Sequence, residues 1–346
     1  MHYRQLGDSD VQVSVICLGT MTFGEQNTQA QAHQQLDHAV ENGVNFIDTA
    51  EMYAIPVRAE TQGLTEQYIG TWLGKRADRD KLIVATKVAG PNPNMTHLRG
   101  GPKLIADHIH QAIDASLHRL QTDYVDLYQV HWPARSTNYF GKLGYEHNGE
   151  EHAETIESTL STLTELVRAG KIRHIGVSNE TPWGVAQYLR LAETHGYARI
   201  VSIQNPYNLL NRSFEVGLAE FAHRDDVGLM AYSPLGFGAL SGKYLDGQQP
   251  EGARLTRWSD YFPRYITDLA KKVTQQYVEI ARNAGLDPAQ MALAYVNSRR
   301  FVTANIIGAT TLKQLEMNIA SANISLANDV LEAIESVHLS QPNPCP

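Results

Sequence analysis

Cysteine is almost missing from this chain: Cys17 lies inside an apolar segment, Cys345 sits near the end, and there is no third. Neither a disulfide framework nor a thiolate metal site follows from such a pair, and Cys17 reads as a small core residue. Positive charge is also in short supply, with 29 Lys and Arg against 37 Asp and Glu and a formal charge of −8. A nucleic-acid surface needs clustered positive charge, and no basic run offsets the deficit, so no nucleic-acid partner is expected. No apolar run approaches membrane-spanning length, and Met1 to Leu6 lack the charged-then-apolar order of a signal peptide. The expected setting is therefore cytoplasmic, without a membrane partner. His-x-x-x-His, a carboxylate cluster with metal-ligand spacing, and a Gly-x-Ser-x-Gly elbow are all lacking. Metal-dependent and serine-triad hydrolysis are disfavoured accordingly, and no metal is expected.

What is present is a repeating order of short apolar run, loop and amphipathic helix over 346 residues, 42% of them hydrophobic. Eight runs have strand character: Val15 to Leu18, Val44 to Ile47, Leu82 to Ala85, Val125 to Val130, Ile172 to Val177, Ile200 to Ile203, Val227 to Ala231 and Asn305 to Ile307. Between them, Ile105, Ile109, Ile113 and Leu117 share one helical face, as do Ile156, Leu160, Leu163 and Val167. Thr181-Pro182 and Asp287-Pro288 read as an N-cap followed by proline at the first helical position, and Gly43 and Gly170 mark helix ends. Alternating strands and helices imply a parallel sheet, and eight units close a (β/α)₈ TIM barrel, here a single domain over residues 1–346. An open doubly wound sheet is the alternative, but no Gly-x-Gly-x-x-Gly follows the first strand. Tyr3 to Gln5 and Val11 to Ser14 flank a turn-rich spacer, which predicts an N-terminal β-hairpin preceding the barrel rather than joining it. Two long loops, Ala134 to His152 and Leu235 to Pro263, are expected to overhang the C-terminal rim, where barrel enzymes carry their sites.

The residues that follow the strands form a polar ring: Gly19-Thr20-Met21, Asp48, Lys87, His131, Ser178-Asn179, Gln204-Asn205, Tyr232-Ser233 and Gly308-Ala309-Thr310. Each has a purely structural explanation, such as an Asp48-Lys87 ion pair or a core histidine at His131. A structural rim, however, has no need to converge four different titratable groups. A carboxylate ending a buried strand requires a positive partner, and Lys87 is the candidate for Asp48. The phenol of Tyr53 follows Asp48 by five residues. A free tyrosine has a pKa of about 10, and an adjacent ammonium is expected to lower it, with Asp48 orienting Lys87 and His131 hydrogen-bonding an incoming oxygen. Such a set suits protonation of a carbonyl oxygen while hydride arrives from a cofactor.

At this point the ordered pieces resemble a known family. Asp48-Thr49-Ala50-Glu51-Met52-Tyr53, Thr86-Lys87, Gln129-Val130-His131, Gly176-Val177-Ser178-Asn179, Gln204-Asn205-Pro206-Tyr207, Tyr232-Ser233-Pro234-Leu235, Ser241-Gly242-Lys243-Tyr244 and Gly308-Ala309-Thr310 are similar to segments of the aldo-keto reductases. The similarity runs from end to end and is greatest to the branch with the potassium-channel β-subunits and bacterial Tas-type reductases. It implies a catalytic tetrad of Asp48, Tyr53, Lys87 and His131, with Tyr53 the general acid in reduction of an aldehyde or ketone. It further implies a nicotinamide cofactor. Ser178, Asn179 and Gln204 would meet its carboxamide, Tyr232 would stack under its ring, and Thr20, Met21 and Ser233 would lie nearby. Leu235, Gly238 and Lys243 would hold the pyrophosphate, and Gly308, Thr310, Gln314 and Asn318 the adenosine end. Gly308 and Gln314 stand where many members place Lys and Arg near the 2′-phosphate, and Met317 replaces a common Glu. Arg254 is the candidate for that phosphate, which favours NADPH over NADH. Met21, Phe23, Tyr53, His131 and Trp132 are expected to border a pocket for an apolar or aromatic carbonyl. A nicotinamide-binding sensor or auxiliary subunit with little turnover is the alternative function. No heptad seam or interface stripe indicates an oligomeric state.

Overall fold

A computed structural model of the chain describes residues 1–147 and 155–346. Ten strands are formed among them. A hairpin of β1 (Tyr3–Gln5) and β2 (Gln12–Ser14) precedes β3 (Ile16–Gly19), β4 (Phe46–Asp48), β5 (Ile83–Val88), β6 (Val125–Val130) and β7 (Ile172–Ser178). β8 (Ile200–Pro206), β9 (Gly228–Tyr232) and β10 (Val302–Ile307) complete the set. Strands β3 to β10 pair in parallel and close as a barrel when β10 meets β3. All eight apolar runs of the sequence are barrel strands, and several extend one to three residues further toward the rim.

Strand periodicity decides where each side chain points. Cys17, Phe46, Ala85, Leu127, Met230 and Ala304 form a buried apolar cluster inside the barrel. Stepping two residues along a strand returns to the same face. Asp48, Lys87, Gln129 and Tyr232 therefore stand in the next layer up, at the C-terminal mouth, and His131 follows above Gln129. The opposite strand faces pack Ile47, Val84, Tyr128, Ile175 and Ile203 against the helices.

The hairpin precedes the barrel and joins none of its strands, as expected, but it also caps it. Although β1 and β2 pair with no barrel strand, Leu6 and Val13 are fully buried in the interior cluster and plug the N-terminal end. Gly7 turns there at φ +60, where an added Cβ would lie 2.3 Å from the Val201 carbonyl oxygen. The plug makes the other end of the barrel the open one.

Helix starts follow their caps. Thr181 accepts from the Gly184 N–H ahead of helix Pro182–His195, and Asp287 accepts from Gln290 ahead of Pro288–Ser298. On helix Ala106–Leu120 the buried face is Ile109, Ala112, Ile113, Ser116 and Leu120. Ile105 is its N-cap rather than a core position, and Leu117 is only partly buried. The predicted stripe is thus right at its centre and rotates off at both ends. Among the described residues no helix is long and apolar enough to cross a membrane.

Candidate active site

The Lys87 side chain is fully buried at the end of β5, and its ammonium donates to Asp48 Oδ2 at 2.6 Å and to the Thr49 carbonyl at 2.7 Å. Asp48 Oδ1 accepts from the amide groups of Gln129, at 3.1 Å, and Gln204, at 2.9 Å. Four hydrogen bonds from three side chains thus converge on one carboxylate and its neighbouring carbonyl, the condition for tolerating a buried charge pair. Burial works to lower the Lys87 pKa, but Asp48 and Tyr53 outweigh it and the net direction is upward. The ammonium stays charged.

Tyr53 lies above this pair, with Lys87 Nζ 5.0 Å from its ring centroid. Its pKa is raised, contrary to the expected lowering. Burial is the largest influence and Asp48 adds to it, while Lys87 and the more distant Arg254 pull the other way. Removing the phenol from water thus costs the phenolate more than the ammonium returns, because Asp48 cancels part of the Lys87 field. The phenol is held protonated, which is the state a proton donor requires. His131 meets Tyr53 edge to face, with centroids 5.9 Å apart. Burial, reinforced by the charge on Lys87, drives the His131 pKa well below its ordinary value, so the imidazole is neutral. Its Nδ1 is buried without a hydrogen-bond partner among the described residues.

A second polar layer spans the mouth from β6 to β9. Ser178 Oγ donates to the Gln204 carbonyl at 2.8 Å, Asn179 Nδ2 donates to the His131 carbonyl at 2.9 Å, and the Tyr232 hydroxyl donates to Asn179 Oδ1 at 2.7 Å. Gln204 spends both amide hydrogens on Asp48 and Gln129. Its side-chain oxygen takes no bond in this ring and is left for a ligand's N–H. These contacts hold the side chains of Ser178, Asn179, Gln204 and Tyr232 where they face the cavity, as a preorganised site requires.

Above the ring lies a cleft of about 1040 Å³. Thr20, Met21, Ser178, Asn179, Gln204, Tyr232, Ser233, Leu235 and Gly238 line it, as do Lys243, Arg254, Gly308, Thr310, Gln314 and Asn318. Thr20 lines it with its hydroxyl already donated to the Asp48 carbonyl. Gly238 turns at φ +93, where an added Cβ would press within 3.0 Å of Lys243 Nζ. Lys243 and Arg254 face one another's charge, and burial and that repulsion lower the Lys243 pKa. Arg254 packs over Phe237 and Phe262, and the groups that shift it are burial and two phenols, with no carboxylate among them. No carboxylate pairs with either cation among the described residues, so the field at this wall is positive. At the far end Thr311 caps helix Leu312–Ala320 by accepting from Gln314 N–H. Gln314 Oε1 accepts from Thr310, while Asn318 Nδ2 donates to the Gly308 carbonyl. The helix N-terminus opens on the same cleft and favours an anion there. His108-x-His110, on helix Ala106–Leu120, is the chain's one His-x-His pair, and no cluster of three metal-ligating groups occurs among the described residues.

With this geometry in place, comparison with known proteins is informative: the pattern of the aldo/keto reductase family matches residues 15–338. The chain belongs to that family. It is 55% identical over its whole length, and the whole length of the relative, to protein tas of Escherichia coli. It is 33% identical to the uncharacterized oxidoreductase YrpG of Bacillus subtilis, covering 97% of this chain and 96% of the other. With the norsolorinic acid reductase stcV of Emericella nidulans it shares 30% identity, over 94% of this chain and 78% of that one. This aldo/keto reductase is thus an oxidoreductase by kinship, and its family works with nicotinamide cofactors.

Two residues expected at the substrate pocket of this reductase lie elsewhere. Phe23 is fully buried in the main core, because the chain turns back at Asn27 and carries the ring inward. Trp132 packs with Ala89, Met95 and Leu98 and donates its indole N–H to the Pro91 carbonyl, so it backs His131 instead of lining the cleft. Met21, Tyr53 and His131 do line it, joined by Met52, Ile55, Phe140, Tyr261, Phe262 and Arg264. The last three come from the loop after β9, whose irregular sequence has no periodicity to read. Phe140 stands 5.9 Å from Trp132 and brings the loop after β6 to the rim as expected. Residues 148–152 of that loop lie outside the described residues. Gln129 was missed as a partner of Asp48, although an amide inside the apolar run Val125–Val130 was a signal that something polar faced it.

Proposed function

We propose that this aldo/keto reductase uses NADPH to reduce an aldehyde or ketone to the alcohol, with Tyr53 as general acid. The observation that carries the reading is the fully buried Lys87 ammonium, fixed to Asp48 at 2.6 Å beneath Tyr53 on the floor of the cleft. When bound, the reduced nicotinamide supplies a hydride to the carbonyl carbon. Tyr53 gives its proton to the carbonyl oxygen, and Lys87, held charged by Asp48, stabilises the phenolate left behind. The neutral imidazole of His131 hydrogen-bonds the same oxygen and directs it at Tyr53. The balance is one carbonyl, one NADPH and one proton consumed, one alcohol and one NADP⁺ formed.

The residues present fit the cofactor. Gln204 offers a free side-chain oxygen and Tyr232 a ring whose hydroxyl is tied down, both suited to a carboxamide and its ring. Lys243 and Arg254 supply uncompensated positive charge for phosphates, and Arg254 supports NADPH over NADH. The walls of Met21, Met52, Ile55 and Phe140 suit an apolar or aromatic carbonyl.

The test is loss of NADPH absorbance with 4-nitrobenzaldehyde, with the alcohol identified as product. Turnover that depends on both partners is expected. Tight NADPH binding with no turnover across aldehydes and ketones would point instead to a nicotinamide sensor or auxiliary subunit.

A further inference from the structure

Three arginines line the cavity: Arg254 faces Lys243, Arg257 stacks on Trp258, and Arg264 lies among phenols. Its guanidinium packs by Tyr265, with its carbon 5.9 Å from the ring centroid, and its polar neighbours are the phenols of Tyr232 and Tyr265. On its other side lies the turn after β6, where a Cβ on Gly141 would fall 2.7 Å from Arg264 Nε. No carboxylate pairs with it among the described residues. The cavity's own carboxylates are not available: Asp48 holds Lys87, Asp287 caps helix Pro288–Ser298, and Glu251 is solvent-exposed on the outer loop. A half-buried cation held by phenols alone has no counter-charge, and in a protein of net charge −8 a suitable carboxylate would be easy to supply.

Its position relative to the reacting groups is set by two short chains of contact. Tyr232 donates to Asn179, which donates to the carbonyl of His131. Phe140, beside Gly141, packs on Trp132, which packs on His131. Arg264 therefore lines the same cleft as Tyr53, His131 and Phe140, on the side of Tyr232 and Gly141, while Lys243 and Arg254 lie together on another part of its wall. A compound with its carbonyl oxygen at Tyr53 and His131 and its body against Phe140 directs its far end at this guanidinium. A planar fork of N–H donors matches a carboxylate in two parallel bonds.

We infer that Arg264 binds the carboxylate of the substrate, so that the preferred substrates are carbonyl acids with an apolar or aromatic spacer between the two groups. The inference rests on the carbonyl-reductase reading above. The carboxylate is a spectator of the redox step, and the proton and hydride go where that reading places them.

The experiment compares 4-carboxybenzaldehyde with methyl 4-formylbenzoate, which differ in charge at the far end of one ring, in wild type, R264M and R264K. The ratio of kcat/KM for the acid over the ester should fall on the order of 10- to 100-fold in R264M, chiefly through KM, as expected for a lost charge-assisted pair. R264K should recover part of it. In the wild type itself, added salt should lower the same ratio, which tests the idea without any variant. An equal ratio in wild type and R264M, or a rise in the NADPH Kd of R264M that accounts for the change, overturns the inference and leaves carbonyl reduction standing. If neither aldehyde is reduced, that earlier reading fails, and calorimetry with benzoate decides this one. Binding by wild type that weakens in R264M upholds it, and equal binding or none overturns it.

Discussion

Replacing Asp48 by Asn strands an ammonium in the barrel, and the consequences can be worked from the geometry. Lys87 has 0% side-chain exposure and Asp48 3%, so water cannot take over the lost carboxylate. Removing one partner of such a pair costs about 3–5 kcal/mol. The amide at position 48 can still accept from Gln129 and Gln204, so the loss is concentrated on Lys87. The pH dependence then separates this cause from general disruption. In the wild type the Lys87 pKa is raised, so its contribution is fully present below the ordinary lysine value and is lost only as pH climbs through the folded one. In D48N the largest counterweight to burial is gone, Tyr53 alone opposes it, and that pKa falls. The unfolded chain then binds the extra proton, and stability must rise with pH by up to about 1.4 kcal/mol per pH unit. Urea denaturation at pH 6, 7.5 and 9 reads both effects, and D48N/K87M should regain part of the loss. A D48N protein within about 1 kcal/mol of wild type, the worth of a surface pair, with no rise toward alkaline pH, would refute the reasoning.

Glu51 is buried, grips Arg99 through two bonds of 2.7 Å and accepts the Ala89 N–H, tying the Tyr53 loop to the loop after β5. E51A should therefore destabilise by about 3 kcal/mol in thermal unfolding and lower kcat. His131 is depressed by burial and by Lys87, so its contribution is present above the ordinary histidine pKa and lost as pH falls below it. Acid denaturation of H131Q should accordingly show a shallower loss of stability below about pH 6.5 than wild type. R254A should weaken NADPH much more than NADH in fluorescence titration; equal weakening would remove Arg254 from the 2′-phosphate.

The barrel was legible because its strands are continuous apolar runs buried on both faces, bounded by polar rim residues and followed by capped helices. The pairing of Asp48 with Lys87 was legible from the cost of burying either alone. Two features were not. The direction of the Tyr53 shift depends on how burial balances a positive and a negative neighbour, and spacing along a chain carries no information about that balance. The loss of Phe23 and Trp132 from the pocket, and the gain of Phe262 and Arg264, reflect turns and an irregular loop in which side-chain direction follows backbone detail instead of a period. The hairpin lay between these cases: its strands were clear, but its role as a plug depends on Leu6 and Val13 meeting an interior that only the closed barrel creates.

The central claim is that Tyr53 delivers the proton while its neighbours bind and orient. It is tested most directly by the rate of NADPH oxidation with 4-nitrobenzaldehyde in Tyr53→Phe against wild type, measured alongside NADPH affinity. Positioned acid-base groups contribute about 10² to 10⁴ in rate, so a loss of that size with NADPH binding retained is the predicted result. Equal turnover in the two proteins would contradict it.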